Sequence, residues 1–424
     1  MSRVAIVGAG WAGLAAAVAA TERGHEVTLI EATRTLGGRA RTLAVPMPDG
    51  SELLLDNGQH IMIGAYLETL ALMEKVGIEL HAALLRLPLV LRDAQGEGMA
   101  LPAWPAPWDA AAGILGARGW SWADKLSLLR AAAGWQLARF QCPPQLSVAE
   151  LTRGVSQRVR EQLIEPLCVA ALNTPAQRSS AQVFLRVLRD ALFGRGYRGW
   201  GGSNLLLPKQ ELGRVFPEAA QAWLAAHGAA LRLGQRVHAL TRDDAGWRVD
   251  GEAFDAVVLA TPPADAVRLL QASEVAAADW IACTQGLSYE AIATVYVTGG
   301  PRLTLPMLAL ASGPGAPAQF VFDRSQLGAP AGVLAFVVSA SPAGREEIER
   351  DVLAQAASLG WQVRPLQTVV EKRATFACLP GLRRPPIAIA PGLWACGDYV
   401  DGPHPATLEG AVRAGLAVAE RLAP

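Results

Sequence analysis

The chain has 424 residues, of which 51% are hydrophobic and only 18% charged, and its formal net charge is zero. Nucleic-acid binding needs an excess of clustered Lys and Arg, so this balance argues against nucleic acid as the main partner, and the apolar content argues against disorder. The length allows two or three domains with large cores. A mean hydropathy of +0.23 is typical of a large apolar cavity or of contact with a membrane surface.

The composition also indicates a compartment. No uninterrupted apolar run of about 18 residues is present, so a spanning helix is not expected. Glycines interrupt the apolar N-terminal stretch, which argues against a signal peptide. The five cysteines are odd in number and never closely spaced, so neither a disulfide framework nor a zinc site is expected. We therefore expect a cytoplasmic protein without a metal centre.

The first 31 residues read as a strand, a glycine-rich turn, a helix and a second strand. Gly8 permits the tight turn, Gly10 lets the backbone approach a pyrophosphate, and Gly13 packs the helix against the strand. The helix would point its N terminus at the phosphates, and an acid at the end of the second strand would accept the ribose hydroxyls. A plain βαβ turn is the alternative. The predicted dinucleotide contacts are Gly8, Gly10, Trp11, Ala12, Gly13 and Glu31.

A second glycine turn follows close behind this acid. Gly37 and Gly38 can bring backbone N–H groups near a phosphate, and Arg39 can pair with it. The composite resembles the second signature of FAD-dependent amine oxidases and carotenoid-type desaturases, so the resemblance implies FAD rather than NAD. Taken alone, Arg39 could merely cap a surface turn.

Two later stretches of the sequence are also predicted to contact this cofactor. A short strand at Leu393 ends in Gly397 and Asp398, and a helix opens near Thr407 and Leu408. In flavoproteins that this chain resembles, such an aspartate contacts the ribityl chain or the pyrophosphate, and the helix points its N terminus at the flavin. In the same enzymes a residue placed like Val237 touches the adenine. The alternative for Gly397-Asp398 is an ordinary turn from strand to loop.

These segments predict an α/β fold with a discontinuous Rossmann-type FAD-binding domain, resembling that of the amine oxidases. The domain would comprise residues 1–85, 205–270 and 385–424. The substrate-binding domain would comprise 86–204, with its helical part at about 104–200, and 271–384. Alternating apolar and polar runs between residues 281 and 378 predict antiparallel strands, the usual wall opposite a flavin ring.

Five of the twelve tryptophans lie between residues 104 and 135. Ser121 or Asp124 can cap a helix that runs to about Phe140. Indole rings favour the boundary between water and lipid. The segment is therefore either a helical lid packed by large aromatic side chains or a site that brings the protein to the inner membrane surface, and both can be true.

Two residues are candidates for acid–base chemistry. The polar stretch "DNGQH" lies between two apolar runs, where Asn57, Gly58 and Gln59 would approach the flavin ring and His60 would supply or relay a proton. His60 can equally be a structural histidine. Glu165 lies among apolar neighbours that would raise the pKa of its carboxyl group, although a mid-helix glutamate more often faces solvent or pairs with an arginine such as Arg158.

The chain resembles, nearly end to end, the squalene-associated FAD-dependent desaturase-like proteins of hopanoid-producing bacteria, the hydroxysqualene dehydroxylase family. This family lies within the wider group of phytoene desaturases and flavin amine oxidases. The stretch "GDYVDGPHPA" departs from the family's more Thr-rich loop. The resemblance rests on "VGAGWAGLAAAV", "LGGRAR", "DNGQHIMIGAY", "RLPL", "SWADKL", "EPLCVAALNTP", "SAQVFLRVLRD", "LLLPK", "FDAVVLATPP" and "GDYVDGPHPATLEGAVRAG".

This resemblance implies reductive removal of the hydroxyl group from hydroxysqualene, a C30 allylic alcohol, to give squalene, with reduced FAD as hydride source. The electron donor or reductase that reduces the FAD is unknown, since the sequence shows no second nucleotide motif. One alternative is an oxidative enzyme of the same fold, either a polyprenyl desaturase or an amine oxidase with a lysine near the flavin, for which Lys209 and Lys372 are the nearest candidates. Another is an isoprenoid carrier without turnover.

Overall fold

The computed structural model describes residues 2–46, 50–243, 246–273 and 275–422. The strands are β1 (Arg3–Val7), β2 (Glu26–Glu31), β3 (Thr42–Pro46), β4 (Glu52–Asp56), β5 (Met62–Ile63), β6 (Leu84–Leu87), β7 (Val90–Arg92), β8 (Gly98–Ala100), β9 (Leu205–Pro208), β10 (Ala230–Leu233), β11 (Leu240–Asp243), β12 (Gly246–Val249), β13 (Glu252–Phe254), β14 (Ala256–Leu259), β15 (Tyr289–Thr298), β16 (Met307–Ala309), β17 (Phe320–Asp323), β18 (Leu334–Ser339), β19 (Arg364–Phe376), β20 (Ala388–Ala390) and β21 (Leu393–Ala395).

The helices are α1 (Trp11–Glu22), α2 (Leu67–Lys75), α3 (Leu80–Ala83), α4 (Trp108–Leu115), α5 (Trp122–Leu137), α6 (Val148–Leu151), α7 (Gln157–Val159), α8 (Glu165–Leu172), α9 (Ala181–Leu192), α10 (Leu212–Val215), α11 (Pro217–Ala226), α12 (Pro263–Gln271), α13 (Ala278–Gln285), α14 (Arg345–Ser358) and α15 (Leu408–Ala419). A π-helical turn, Arg160–Ile164, joins α7 to α8. No helix in the described part of the chain is both long and apolar enough to cross a membrane.

A six-stranded sheet, in the order β10-β2-β1-β14-β21-β20, forms the frame of the molecule. Its first five strands are parallel, and β20 is antiparallel to β21. The short apolar runs of β1 and β14 are buried, as central parallel strands require. All six strands lie within the three segments predicted for the cofactor domain, whereas the exact domain boundaries stay a prediction.

Helix α1 packs on this sheet because it is apolar on every side. Its residues from Trp11 to Ala20 are buried, and α15 crosses it so closely that a side chain at Gly415 would lie 2.3 Å from the carbonyl oxygen of Ala12. Close approach of the two helices therefore depends on small residues at the crossing. This packing fixes the N terminus of α1 at the carboxyl ends of β1 and β2.

The predicted antiparallel wall is present as a five-stranded sheet, in the order β16-β17-β18-β15-β19. Helix α14 covers one face, where Val295 and Phe336 pack with Ile348 and Val352. The opposite face turns Ile292 and other side chains toward the interior of the molecule. Because successive side chains along a strand point to opposite faces, one face of this sheet packs against α14 and the other can line a binding site.

The helices predicted between residues 104 and 200 are also present. Ser121 caps α5 in a reciprocal capping box with Asp124, and the helix ends at Leu137. Helix α8 ends at Asn173, which takes a left-handed conformation (φ 45°) directly before Thr174 and Pro175. The amide of Asn173 bridges to the sheet, since Nδ2 donates to Thr375 Oγ1 (3.0 Å) and Oδ1 accepts from the Ala340 N–H (2.9 Å).

Candidate active site

A single cavity of about 890 Å³ joins the parallel sheet to the antiparallel sheet and the helical block. Small-molecule sites usually measure roughly 300–1,000 Å³, so this one is large. Its first half is built from the glycine turns and strand ends described below. Its second half is apolar, and its walls include Ile114, Leu128, Trp135, Leu163, Leu167, Val187, Phe320, Phe322 and Val337.

The first glycine turn leaves no room for a side chain at two of its positions. Gly8 has φ 108°, and an added Cβ would lie 2.6 Å from the carbonyl oxygen of Ala260. A Cβ at Gly13 would lie 1.9 Å from the carbonyl oxygen of Gly8. No side chain caps the N terminus of α1 at Gly10, so the first N–H groups of the helix, which include those of Trp11 and Ala12, are available to an anion.

Glu31 lies at the end of β2, beside the turn. Its carboxylate accepts hydrogen bonds from the backbone N–H groups of Ala9 (2.7 Å) and Thr33 (2.8 Å), and it lines the cavity together with Val237. The acid thus holds the glycine turn in shape as well as facing the place predicted for the ribose. Val237 is buried in the cavity wall, and its contact with the adenine stays a prediction.

The second glycine turn packs against the first. Gly37 and Gly38 have φ angles of 97° and 62°, in the region that favours glycine, and the Gly37 N–H donates to the Ala9 carbonyl (3.0 Å). A Cβ at Gly38 would lie 3.3 Å from the Cα atom of Gly10. The two turns therefore present bare backbone on one stretch of the cavity wall.

Arg39 crosses the site instead of capping a surface turn. It donates to the Ala374 carbonyl (2.7 Å) and forms an ion pair with Asp398, which follows Gly397 at the end of β21. Burial opposes the charge of Arg39, but the neighbouring Asp398 carboxylate outweighs it and raises the pKa of the guanidinium. The arginine and aspartate predicted to contact the cofactor thus also contact each other.

Helix α15 begins at this wall. Thr407 caps it by accepting from the Gly410 N–H (2.9 Å), and Leu408, its first residue, lines the cavity. Glu409 is fully buried and accepts from the Thr69 N–H (2.9 Å) and hydroxyl (2.7 Å), so its carboxylate caps α2. The N termini of α1 and α15 consequently meet the same cavity.

The "DNGQH" loop lies where the two halves of the cavity join. Asn57 is buried and its side chain accepts from the Arg41 N–H (3.1 Å), which fixes the loop to the second glycine turn. The amide of Gln59 accepts from Arg324 (3.3 Å), beyond the antiparallel sheet. All four predicted loop residues, from Asn57 to His60, line the cavity.

The ring of His60 has a defined orientation. Its Nδ1 atom lies 2.7 Å from the carbonyl oxygen of Gly58. Since a carbonyl oxygen only accepts, Nδ1 carries the proton of the neutral ring and Nε2 is left as an acceptor. Burial, with a smaller contribution from the charge of Arg39, lowers the pKa of His60. The neutral form therefore prevails near pH 7, and it can accept a hydrogen bond from a hydroxyl group.

Glu165 is placed differently from the prediction. Burial raises the pKa of its carboxyl group, with a further increase from Glu161, but Glu165 is not among the described residues that line the cavity. Its neighbours Leu163, Ile164 and Leu167 face the cavity instead. Arg158, its suggested partner, donates to the Gly119 carbonyl. The geometry thus gives no support to a catalytic role for Glu165.

The wall also contains buried polar atoms that lack partners. The hydroxyl groups of Thr261 and Tyr399 are buried, both residues line the cavity, and neither hydroxyl has a hydrogen-bond partner in the described part of the protein. Such groups are costly unless a ligand or water satisfies them. Bare glycine turns, two helix N termini, an arginine and unpartnered hydroxyls together fit a dinucleotide cofactor.

A model of one protein family matches residues 11–423, and the description of that family is flavin containing amine oxidoreductase. The chain belongs to this family. Membership and the fitting cofactor wall together make the protein an FAD-dependent oxidoreductase, which confirms the FAD prediction and the α/β amine-oxidase-like fold class.

Relatives of this flavin-dependent oxidoreductase extend over its whole length. It is 28% identical to hydroxysqualene dehydroxylase of Rhodopseudomonas palustris, with 98% of this chain and 97% of that protein covered. It is 25% identical to hydroxysqualene dehydroxylase of Sinorhizobium fredii, with the same coverage. A shorter similarity, 45% over 75 residues, covers 18% of this chain and 14% of zeta-carotene desaturase of a Synechocystis strain.

Solved structures show the same fold. An oxidoreductase from Methanosarcina mazei has a TM-score of 0.74 at 18% identity and covers 99% of this chain and 100% of its own. Cyclohexylamine oxidase from Brevibacterium oxydans has a TM-score of 0.68 at 17% identity, with 99% and 98% covered. The flavin-dependent oxidoreductase differs from the predicted amine-oxidase alternative in one respect: neither Lys209 nor Lys372 is among the described residues of the cavity wall.

Several polar residues in the cavity of this oxidoreductase were not predicted, Asp190 and His404 among them. Asp190, on α9, and His404, just before α15, both line it. Each lies inside a motif already quoted for the family resemblance, "RVLRD" and "GDYVDGPHPATLEG". The departure of the second motif from the family pattern was the signal that could have pointed to His404.

Proposed function

We propose that this oxidoreductase removes the hydroxyl group of hydroxysqualene reductively and releases squalene. The main support for this proposal is that one cavity contains both the cofactor wall and a long apolar chamber. This chamber contains few ionisable groups. Full-length similarity to the two hydroxysqualene dehydroxylases supports the choice of substrate.

The chemistry explains why such a chamber suits an allylic alcohol. Loss of the hydroxyl group leaves a delocalised cation, which a mostly apolar wall protects from capture by water. FAD, when bound and reduced, supplies the hydride. The two glycine turns and Arg39 would hold the cofactor, with Glu31 at the ribose and Val237 at the adenine.

The "DNGQH" loop would orient the alcohol. Nδ1 of His60 is engaged by Gly58, so the substrate hydroxyl would donate to Nε2. Gly58 leaves room for this approach. Among the described residues beyond its chain neighbours, an added Cβ there would come no closer than 3.6 Å to His60 and 3.9 Å to Thr294. This assigns His60 to positioning the reacting oxygen.

Hydroxysqualene partitions into lipid, and α5 suggests how the substrate would enter. Trp122, Leu126, Arg130, Ala133 and Leu137 are exposed and share one face of this helix, with Trp122 69% and Leu137 87% exposed. The opposite face lines the apolar chamber through Leu128, Ala132 and Trp135. We infer that the outer face rests on a lipid surface, in agreement with the enrichment of tryptophan at such surfaces.

An anaerobic assay tests the reaction. The FAD-loaded enzyme is reduced chemically and mixed with hydroxysqualene, and the extract is analysed for squalene by mass spectrometry. Squalene in stoichiometric yield, with reoxidation of the flavin, is the expected result. Unchanged substrate would overturn the proposal.

A polyprenyl desaturase is the second candidate, favoured by the local similarity to zeta-carotene desaturase. It predicts the reverse electron flow, in which oxidised flavin is bleached by a polyene such as phytoene. Incubation of the oxidised enzyme with phytoene therefore separates the two functions. Bleaching by phytoene without squalene formation in the first assay would favour the desaturase.

A further inference from the structure

His404 separates the cavity from a second, more polar opening. A cleft of about 340 Å³ lies on the other side of the segment before α15, and its lining includes Arg384, Asp401, Arg413 and Arg421. Asp398, Pro403 and His404 line both spaces. The carboxylate of Asp398 is already engaged by Arg39. The imidazole of His404 is therefore the group at this wall that can exchange a proton between the cleft and the cavity.

A carboxylate faces this imidazole inside the cavity. Oδ2 of Asp190 lies 3.9 Å from Nε2 of His404. Two arginines hold that carboxylate in place, since Arg189 donates to Asp190 Oδ1 (2.8 Å) and Arg186 lies 3.6 Å from Oδ2. A carboxylate beside an imidazole stabilises the protonated ring and orients it.

The remaining charged neighbours of His404 lie on α15. Burial lowers the pKa of its ring, Glu409 and Asp190 oppose this, and Arg413 and Arg186 add to it. The backbone is fixed because the His404 carbonyl accepts from the Thr407 hydroxyl (2.9 Å). A ring with a lowered pKa, held beside a carboxylate, is a strong proton donor once it is charged.

We propose that His404 delivers the proton with which the substrate hydroxyl leaves, and that Asp190 is its positioning residue. This inference rests on the proposed dehydroxylation. The allylic C–O bond breaks, the oxygen leaves as water with the His404 proton, and the carbon gains a hydride from the reduced flavin. A proton from solvent in the cleft then restores the imidazolium.

His60 does not fill this role. Its Nδ1 proton is engaged by the Gly58 carbonyl, and the nearest charge is the cation of Arg39, which opposes protonation of Nε2. His404 instead has two carboxylates nearby and an opening to solvent. The two histidines therefore have different roles. His60 accepts a hydrogen bond from the substrate hydroxyl group, and His404 donates a proton to the oxygen of that group.

The test compares His404→Gln, Asp190→Asn and, as a matched control, His227→Gln, whose ring is exposed and stacks on Trp223. Single-turnover reoxidation of the reduced flavin by hydroxysqualene is followed across pH 5–9. General acid catalysis contributes roughly 10²–10⁴-fold, so His404→Gln should slow the reaction by at least about a hundredfold while FAD content stays unchanged. His227→Gln should match the wild type.

A second readout does not depend on turnover. The pKa of the His404 ring, assigned by its loss in His404→Gln, is measured by NMR on histidine-labelled protein. Asp190→Asn removes a neighbouring negative charge, so the pKa of His404 should fall. Because His404 acts in its protonated form, the alkaline limb of the rate profile should move to lower pH with it. Asp190→Asn keeps the histidine, which makes the test informative even if His404→Gln binds FAD poorly.

The outcomes separate the two proposals. Squalene formation by the wild type with a rate within threefold in His404→Gln would overturn proton delivery and leave dehydroxylation intact. An unchanged His404 pKa in Asp190→Asn would overturn the role of Asp190. Absence of squalene from the wild type would overturn dehydroxylation and, with it, the assignment of His404.

Discussion

Arg39 and Asp398 are 359 positions apart in the chain, yet their side chains form an ion pair in the wall of the cavity. The pair joins the second glycine turn to the end of β21, and Arg39 continues to the Ala374 carbonyl in β19. One guanidinium therefore connects the turn to both large sheets. A planar guanidinium, with several N–H donors, can bind two acceptors in different directions, which the single ammonium group of a lysine does less well.

Replacement of Arg39 by Ala should reduce both FAD content and stability. The Asp398 carboxylate would be left buried without its partner, which costs about 3 kcal/mol. Flavin absorbance per protein and urea unfolding of the apo-protein measure the two effects. The control is Arg350→Ala, which breaks an exposed pair with Asp351 and should cost less than about 1 kcal/mol. Wild-type FAD content in Arg39→Ala would contradict the role.

The substitution Gly13→Ala should displace α1. The new Cβ would lie 1.9 Å from the Gly8 carbonyl oxygen, so backbone must move at the cofactor wall, at a cost of about 1–3 kcal/mol. Flavin loss and a lower unfolding midpoint are expected. Gly134→Ala, on α5, meets open space and should be neutral or stabilise by up to about 1 kcal/mol. Similar behaviour of the two variants would contradict the close-packing argument.

His60→Ala should affect turnover far more than cofactor binding. Loss of the acceptor misplaces the hydroxyl group, and misplacement of a reacting group can cost about a hundredfold in rate. FAD content should stay within a factor of two, because Asn57 and Gln59 still hold the loop through Arg41 and Arg324. Parallel measurement of flavin absorbance and single-turnover rate distinguishes the cases. Equal losses in both would make His60 part of the scaffold.

Asp56 gives a prediction for stability against pH. Its side chain accepts from the Leu212 N–H (2.7 Å), and burial raises its pKa to about 7. The folded protein thus holds a proton that the unfolded chain releases above its ordinary pKa of 3.8. This contribution is full below pH 4 and is lost as the pH rises to about 7, where the cost of ionisation reaches about 4 kcal/mol.

Asp56→Asn keeps an acceptor for Leu212 and removes the ionisation. The free energy of unfolding of the variant, measured with urea between pH 4 and 8, should therefore fall less with rising pH than that of the wild type. Glu211 and Arg324 are the charged neighbours and remain in both proteins. Parallel pH profiles would show that Asp56 is not the group responsible.

Removal of the apolar face of α5 should weaken binding to vesicles. The triple variant Trp122→Ser, Leu126→Ser and Leu137→Ser loses three exposed apolar side chains, and each loss of about 1.4 kcal/mol lowers partitioning tenfold. Co-sedimentation with vesicles that contain anionic phospholipid measures the change. Gln136→Ser, on the same helix, should bind like the wild type. Unchanged sedimentation of the triple variant would contradict lipid docking.

Local sequence patterns predicted much of the fold. The glycine turns, β1, β2 and the capping box at Ser121 depend on neighbours in the chain, so residue types at fixed spacings suffice. The antiparallel wall also appears at the predicted positions. Such elements can be predicted because local backbone geometry determines which positions need a glycine or a capping hydroxyl group.

Contacts between distant segments could not be predicted. Asp190 and His404 are brought together where α9 meets the segment before α15. The hydrophobic periodicity of the sequence does not predict contacts of this kind. For Glu165 the sequence predicted the raised pKa of the carboxyl group, but it could not show whether the side chain reaches the cavity. The π-helical turn Arg160–Ile164 directly precedes Glu165, and the extra residue in that turn changes which side chains face inward. Apolar neighbours in sequence therefore did not bring the carboxyl group of Glu165 to the cavity wall.

The strand order of the central sheet has a consequence for synthesis of the protein. β1 and β2 leave the ribosome first, but β21 and α15, which complete the cofactor wall, are made more than 350 residues later. The cofactor wall is therefore complete only after α15 has been made. Until then the face of α1 that packs against α15 stays exposed, so we expect nascent chains that lack α15 to be held by chaperones or cleaved by proteases.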